Sequence, residues 1–483
     1  MTRPLVVTGE TLTAADVVQV ARDGRPVELD PGARDRMQAA WEITQETLLA
    51  GQPVYGLTTG VGAHKRLAMS AEQLGRFGEL LLPSHRVGQG PPAPPDIVRA
   101  TIVRQVNGLA RGTAGVRPEL AIRLCEALNA REEPEVRMLG SLGQADLAPL
   151  ADLVHAVLGD AGVTGPETLA LINTNAFSTA ISTLALADCR LLLESLDVAG
   201  ALDLEAFAAN LSVLHPAVAE VRPYPGLAAS LARLRRLLVG SYLWQEGAAR
   251  NLQDPLTFRN LAHVHGAARE ALAHAEAMLA IELNAAQHNP LLVADERRFV
   301  SVANFDVSPL AAAVDLVRIA LAPVVTSACE RALKLLGSHY SGLPLGLCAD
   351  PDEPEDALSE FGVAIAALTA EARLLAPPVS YELSTTGVAE GIEDRMTMAP
   401  LGGRRLAEMV GLGHRIAAIE LVIAAQAVDL RRPPALGAAT GRLHALVREA
   451  IPFTGRGMPP PHDLVPLLDL LRSGAVAACA DEG

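Results

Sequence analysis

The sequence predicts an all-α protein, a bundle of long helices with a smaller mixed region at its N-terminus. Three observations carry this. Half of the 483 residues are hydrophobic but only 3% are aromatic, so the apolar mass is mostly Ala, Leu and Val. Ala and Leu are strong helix formers. Val264, Ala268, Leu272, Ala275, Leu279 and Leu283 recur at steps of three and four, which is one face of a helix of about six turns. Ile416, Ile419, Ile423 and Leu430 mark a second long helix over 409–431. The length exceeds one typical domain.

The elements follow in order. Leu5, Val6 and Val7 form a β-prone start before helical segments. Residues 51–66 are glycine-rich with no helical period, a loop where the backbone turns tightly. Helical patterning returns over 95–135, and 137–151 form a second glycine-bearing interruption. The segment 165–178 is apolar and then polar, through Asn173-Thr174-Asn175. Arg222-Pro223-Tyr224-Pro225-Gly226 is a stiff turn. A helical stretch over 305–340 is expected to kink or break at Pro323. Pro459-Pro460-Pro461 and a small-residue tail read as a surface wrap. In chain order, 1–200 is an N-terminal region, 201–450 the central bundle and 451–483 a C-terminal surface segment.

Composition excludes several classes. The net charge is 40 − 55 = −15. This argues against non-specific binding to nucleic acid or an anionic membrane, since both need clustered Lys and Arg. Cys125, Cys189, Cys329, Cys348 and Cys479 contain no CxxC pair, as expected of a reducing, cytoplasmic setting. The N-terminus lacks a signal-peptide pattern. The apolar stretch near Ile416–Ala427 is interrupted by Glu420 and Gln426, so no membrane span is expected. His263 and His265 do not share a helix face and no HExxH motif occurs, so no metal is expected.

Chemistry points to the polar segments that interrupt the helical pattern. These are Tyr55–Gly62, Ser84–Gly88, Gly140–Leu150, Leu169–Asn175, Gln253–Arg259, Glu282–Pro290 and Glu390–Met398. A lone tyrosine in a glycine-rich loop reads more simply as a hinge. In this order, however, the segments resemble the aromatic amino-acid ammonia-lyases, the histidine and phenylalanine lyases and related aminomutases. Tyr55-Gly-Leu-Thr-Thr-Gly-Val-Gly resembles the catalytic tyrosine loop, and Ser84-His85 a family Ser-His segment. Arg222–Gly226, Asn289-Pro290-Leu291, Asn304-Phe305 and Glu393-Asp394 continue the series.

The resemblance implies a long-helix bundle, a homotetramer with shared active sites, and a small-molecule substrate. It also implies roles. Tyr55 is the candidate base, Glu393 the group that trades protons with a substrate amine, and His85 a contact to the distal end of the substrate. Asn173 and Gln253 orient a carboxylate that Arg259 clamps. Phe305, Leu256 and Asn304 complete the lining. For Arg259 and Glu393, a buried salt-bridge network is the plainer alternative.

One departure is central. The family carries Ala-Ser-Gly, which cyclises into a methylidene-imidazolone electrophile. Here the loop reads Gly143-Gln144-Ala145-Asp146, one residue shorter and without that serine. No such prosthetic group, and no other cofactor, is expected. Relative to the family, Leu256 replaces Tyr, His288 replaces Asp, Asp306 and Arg395 each replace His, and Ile392 replaces Gln.

Without the electrophile, positioned acid–base groups supply roughly 10²–10⁴-fold each. That is small beside ordinary enzymatic accelerations of about 10⁶-fold and more. The substrate must then be activated by its own structure, through a quaternary ammonium leaving group or an already acidified proton. A tyrosine base ordinarily titrates near 10, and lowering it to about 7 takes roughly 4 kcal/mol from its surroundings. A nearby cation or a helix N-terminus is expected to supply this. The readings left open are a lyase, addition or isomerisation enzyme, a cyclase or transferase on the same scaffold, and a non-catalytic subunit. Retention of Tyr55 speaks against the last.

Overall fold

The computed structural model describes residues 3–62, 76, 80–159, 162–350, 352, 356–381 and 391–480. The parts of the tyrosine loop beyond Gly62, and Glu390, lie outside these. The fold is mostly helical, as the sequence predicts. Among the described residues, strands occur as three two-stranded ladders. Leu5–Val7 (β1) pairs in parallel with Val27–Leu29 (β2). Helix α1, Pro31–Leu49, follows with Asp30 as its cap, accepting from the Ala33 N–H, and Pro31 in the first turn. Strand β3, Gln89–Pro92, leads to α2 (Pro95–Ala110) and α3 (Pro118–Asn129), and β4 (Arg137–Leu139) pairs back on β3.

The helices then lengthen. Leu147–Leu158 (α4) and Gly165–Ile172 (α5) precede α6, Ala176–Phe207. Pro225–Leu237 (α7) starts at the stiff turn, with its proline in the first turn. Leu261–Asn284 (α8) buries the predicted stripe, with Ala268, Leu272, Ala275, Leu279 and Leu283 all in the core. A hairpin of β5 (Leu291–Val293) and β6 (Arg298–Val300) follows, and Leu292 packs on Ala40 and Ile43 of α1 beside Phe299.

Two sequence expectations change here. Helix α9 runs unbroken over Ser308–Leu336 with Pro323 inside it. Leu321, Val324, Val325 and Ala328 flank the proline and are buried, so tertiary packing offsets the lost backbone hydrogen bond. The C-terminal segment is not only a wrap. After Glu360–Leu374 (α10), Ala399–Arg431 (α11) and Ala438–Ala450 (α12), it forms Val465–Arg472 (α13), which buries Leu467, Leu468 and Leu471. Residues Gly165–Phe207 and Ser308–Leu336 are long and apolar enough to cross a membrane. Of their apolar windows, 78% and 56% is buried inside the protein, the mark of core helices in a large bundle.

Two compact units interleave along the chain. One holds residues 1–187, 275–315 and 378–404; the other holds 188–274, 316–377 and 405–483. The consecutive partition read from the sequence is one of chain order rather than of packing. In the second unit, Arg331 of α9 bonds Asp203 of α6 at 2.7 Å and Glu420 of α11 at 2.6 Å, all three fully buried. Burial and the Glu420 charge push the Asp203 carboxyl well up, against the pull of Arg331. Removing one member of a buried ionic set leaves an uncompensated charge and typically costs about 3–5 kcal/mol. Arg331→Leu is therefore expected to destabilise the protein by about that amount in urea unfolding, and a change below about 1 kcal/mol would contradict this assignment.

Candidate active site

The site lies in the first unit and is built around a break between two helices. Helix α5 ends at Ile172 and α6 begins at Ala176, and at the break the Asn173 N–H reaches the Leu169 carbonyl (2.9 Å), the Asn175 carbonyl accepts from the Thr179 N–H (3.0 Å) and the Thr174 carbonyl accepts from the Asp146 N–H (2.7 Å). Side chains secure the break further. Gln105 of α2 donates to the Leu171 carbonyl (2.8 Å) and accepts from the Thr174 hydroxyl (2.9 Å). Gln287 accepts from the Asn175 N–H (3.2 Å), and the Asn173 amide donates to the Asn289 carbonyl (3.0 Å).

The shortened loop is fixed to this break. The Asn175 amide and the Thr397 hydroxyl both donate to the Gly143 carbonyl, at 3.0 and 2.7 Å. Gly143 has φ +77°, and a Cβ there would overlap the Thr397 hydroxyl, so glycine is required. Ala145 also sits at positive φ (+60°), which closes a tight turn at some strain. Asp146 is fully buried. It accepts from the Ser141 hydroxyl at 2.7 Å and from the Ser178 N–H and hydroxyl at 2.7 and 2.8 Å, where α6 begins. Burial raises its carboxyl above the usual range despite these donors.

This frame holds a cavity of about 570 Å³. Of the residues expected from the sequence, Tyr55, His85, Gln144, Asn173, Phe305 and Glu393 line it. The Tyr55 hydroxyl accepts from the Gly62 N–H at 3.0 Å. His85 Nδ1 sits 2.8 Å from the Leu81 carbonyl and 3.2 Å from the Ser84 hydroxyl. The Gln144 amide donates to Asp306 at 3.1 Å, and the Ser308 N–H donates to the same carboxylate at 2.9 Å.

Four residues expected to bind substrate do not line this cavity. Gln253, Leu256 and Arg259 belong to the second unit. There Arg259 donates to the Asp254 carbonyl at 2.7 Å, and Leu256 is 63% exposed. Asn304 is exposed and also absent from the lining, while its neighbours Ala303 and Phe305 contribute. Sequence reasoning assigned no role to Asn289, Asp306 or Arg395, which do line it. The available signal was the pair of departures with opposite charge at 306 and 395.

The electrostatics correct one expectation. The Tyr55 phenol is not made more acidic within this cavity. Burial raises its phenol above the ordinary value, the Gly62 N–H opposes this, and the Glu393 charge adds to it. Burial and the neighbouring Asp394 raise Glu393 as well. Asp306 goes the other way. Burial alone would raise it, but Ser308, Gln144 and the Arg395 charge outweigh that and hold it below the usual range.

The profile of the aromatic amino acid lyases matches residues 12–166 and 163–449. The chain belongs to this family. It is 34% identical to a histidine ammonia-lyase of Symbiobacterium thermophilum, over 98% of this chain and 97% of that one. Among solved structures it resembles ergothionase from Treponema denticola, an ergothioneine-degrading enzyme seen with desmethyl-ergothioneine sulfonic acid. That match has a TM-score of 0.90 and 27% identity, covering 98% and 99% of the two chains. It also resembles a tyrosine aminomutase from Streptomyces globisporus (TM-score 0.90, 28% identity, 99% and 98% coverage). In this aromatic amino acid lyase, the lining residues come from the segments whose order carried the resemblance.

The buried Asp146 gives a signed pH prediction. Its folded pKa is raised, so the stability it contributes is full below the unfolded value of about 3.9 and is lost as pH rises through the folded value. An Asp146→Asn variant does not titrate there. It should therefore gain stability relative to the native protein as pH rises from about 4, read by thermal unfolding across pH. A constant or falling difference would contradict the burial argument.

Proposed function

We propose that this chain is a lyase that works without the methylidene-imidazolone electrophile, on a small amino-acid derivative that carries its own activation. The observation that supports this is the loop Gly143–Asp146. It presents Gln144, not a cyclisable serine, to a cavity that retains Tyr55 and Glu393. The residues present do not fit the prosthetic group. No serine lies within the turn, and Gly143 has no room for the side chain of an alanine. Likeness both to histidine ammonia-lyases and to an ergothioneine-degrading enzyme supports an amino-acid-derived substrate.

The chemistry assigned to the residues is an acid–base elimination. Tyr55, as its phenolate, removes a proton from a substrate carbon. The C–H electron pair becomes the new double bond, and the C–N pair leaves on nitrogen. A tertiary amine departs neutral and needs no proton. A primary amine would need one, and Glu393, with its raised pKa, is placed to hold it. Asn173 orients the substrate by hydrogen bonding, and His85 bounds its far end.

Tyr55 still needs a cation to ionise near neutral pH, since its own unit raises its pKa. We assign that cation to Arg259 of a second copy in a homotetramer, with Gln253 and Leu256 entering the same shared site. The exposure of Leu256, and of Leu252 at 95%, supports a covered face there.

Three outcomes test the reading. The intact mass should equal that of the unmodified sequence, whereas loss of water from the chain would reveal a cyclised group. In D₂O with pooled amino acids, their betaines and β-substituted acids, amine release or deuterium gain at carbon should fall by about 10²–10⁴-fold in Tyr55→Phe. Activity independent of Tyr55 would refute the assignment. An Arg259→Met variant should shift the ascending, low-pH limb of the kcat/KM profile to higher pH, and an unmoved limb would exclude Arg259 as the cation near Tyr55.

A further inference from the structure

The buried ionic set of the second unit has more acid than base. Arg331 of α9 meets two carboxyl groups, Asp203 of α6 at 2.7 Å and Glu420 of α11 at 2.6 Å. All three side chains are fully buried. With both acids ionised, the interior would hold one net negative charge. An uncompensated charge there is far costlier than a neutral, hydrogen-bonded group.

The individual oxygens show how the charge closes. Arg331 Nε donates to Asp203, and Arg331 Nη2 donates to Glu420. The opposite oxygens, Asp203 Oδ1 and Glu420 Oε2, are buried and have no donor among the described residues. Two carboxylates would leave both of these acceptors empty. One proton between them makes a donor of one oxygen and satisfies the other. Acids that share a site also resist ionising together, so one of them retains its proton. Burial first, and then the Glu420 charge, holds the Asp203 carboxyl well above its usual range against Arg331, and a hydrogen bond to Glu420 adds to this.

The surroundings bring no second cation to the pair. Cys329 of α9 also faces Glu420, and burial chiefly keeps its thiol above the ordinary value, so it stays neutral. Gly200 of α6 lies against both Arg331 and Leu261, so α8 meets the set with an apolar side chain.

We infer that Asp203 keeps a proton at neutral pH and donates it through Oδ1 to Glu420 Oε2, so that Arg331, Glu420 and a neutral Asp203 form a net-uncharged clamp on α6, α9 and α11 whose strength falls as pH rises. Deprotonation releases one proton to solvent and leaves one net negative charge among the three helices. The sign is opposite to that of an ordinary ion pair. The contribution of Asp203 is full below its unfolded value of about 3.9 and is lost as pH rises through the folded value.

Urea unfolding of the full-length chain from about pH 5 to about 9 tests this. Asp203→Asn keeps the shape and the donor but not the proton. Relative to the native protein, its folding equilibrium should improve about tenfold per pH unit until Asp203 itself ionises, the slope of one proton. Glu420→Gln leaves Asp203 ionised as the one counter-charge of Arg331 and should give the same slope. The double variant strands Arg331 without a counter-charge. It should fall well below either single variant, a non-additivity that independent sites would not show. Infrared difference spectra in D₂O should show a protonated-carboxyl band in the native protein that each single variant lacks. The comparison with Glu420→Gln reads that proton even if Asp203→Asn does not fold. A flat pH difference in both single variants, an additive double variant, or a carboxyl band unchanged in both single variants overturns the inference, since both acids would then be ionised.

Discussion

The site depends on one buried carboxylate. Asp146 has no solvent contact, and a lone charge there would be costly. Ser141, the Ser178 hydroxyl and the Ser178 N–H at the start of α6 turn that cost into a fixed geometry. A helix N-terminus favours negative charge, so the anchor and the helix stabilise each other. The turn 143–145 is held between this anchor and the donors of Asn175 and Thr397. Its one remaining polar side chain, Gln144, is thereby directed at Asp306. A loop shortened by one residue stays ordered because both of its flanks are tied to helices.

The two units solve a similar problem with different groups. In the second, Arg331 holds two carboxylates in the buried interior, a structural use of charge. In the first, the polar groups face an open space of about 570 Å³, and their pKa values diverge. Tyr55 and Glu393 move up while Asp306 moves down. On the proposed function, this divergence divides proton transfer, by Tyr55 and Glu393, from Asp306 as a standing anion.

Much of this was legible in the chain. The stripe from Val264 to Leu283 gave α8 because a helix buried on one face must repeat its apolar residues at that spacing. The lining by Tyr55, His85, Asn173, Phe305 and Glu393 was carried by short segments in a fixed order. Other features were not legible. Pro323 reads locally as a breaker, and only packing around α9 overrides it. Gln253, Leu256 and Arg259 stand in the same series as Tyr55, yet they lie in the other unit, since sequence order carries no information about which unit a segment joins. Asn304 and Phe305 are adjacent, and a one-residue step turns one out and the other in.

The sequence by itself determined the helical class, the family and the missing serine, because these rest on composition, periodicity and covalent identity. Tertiary structure alone decided what the shortened loop does. The contact of Gln144 with Asp306 joins residues 162 positions apart, and no local pattern encodes it. The same holds for the direction of each pKa shift. Burial and opposing charge set these directions, and both are properties of the folded chain rather than of the residues in order.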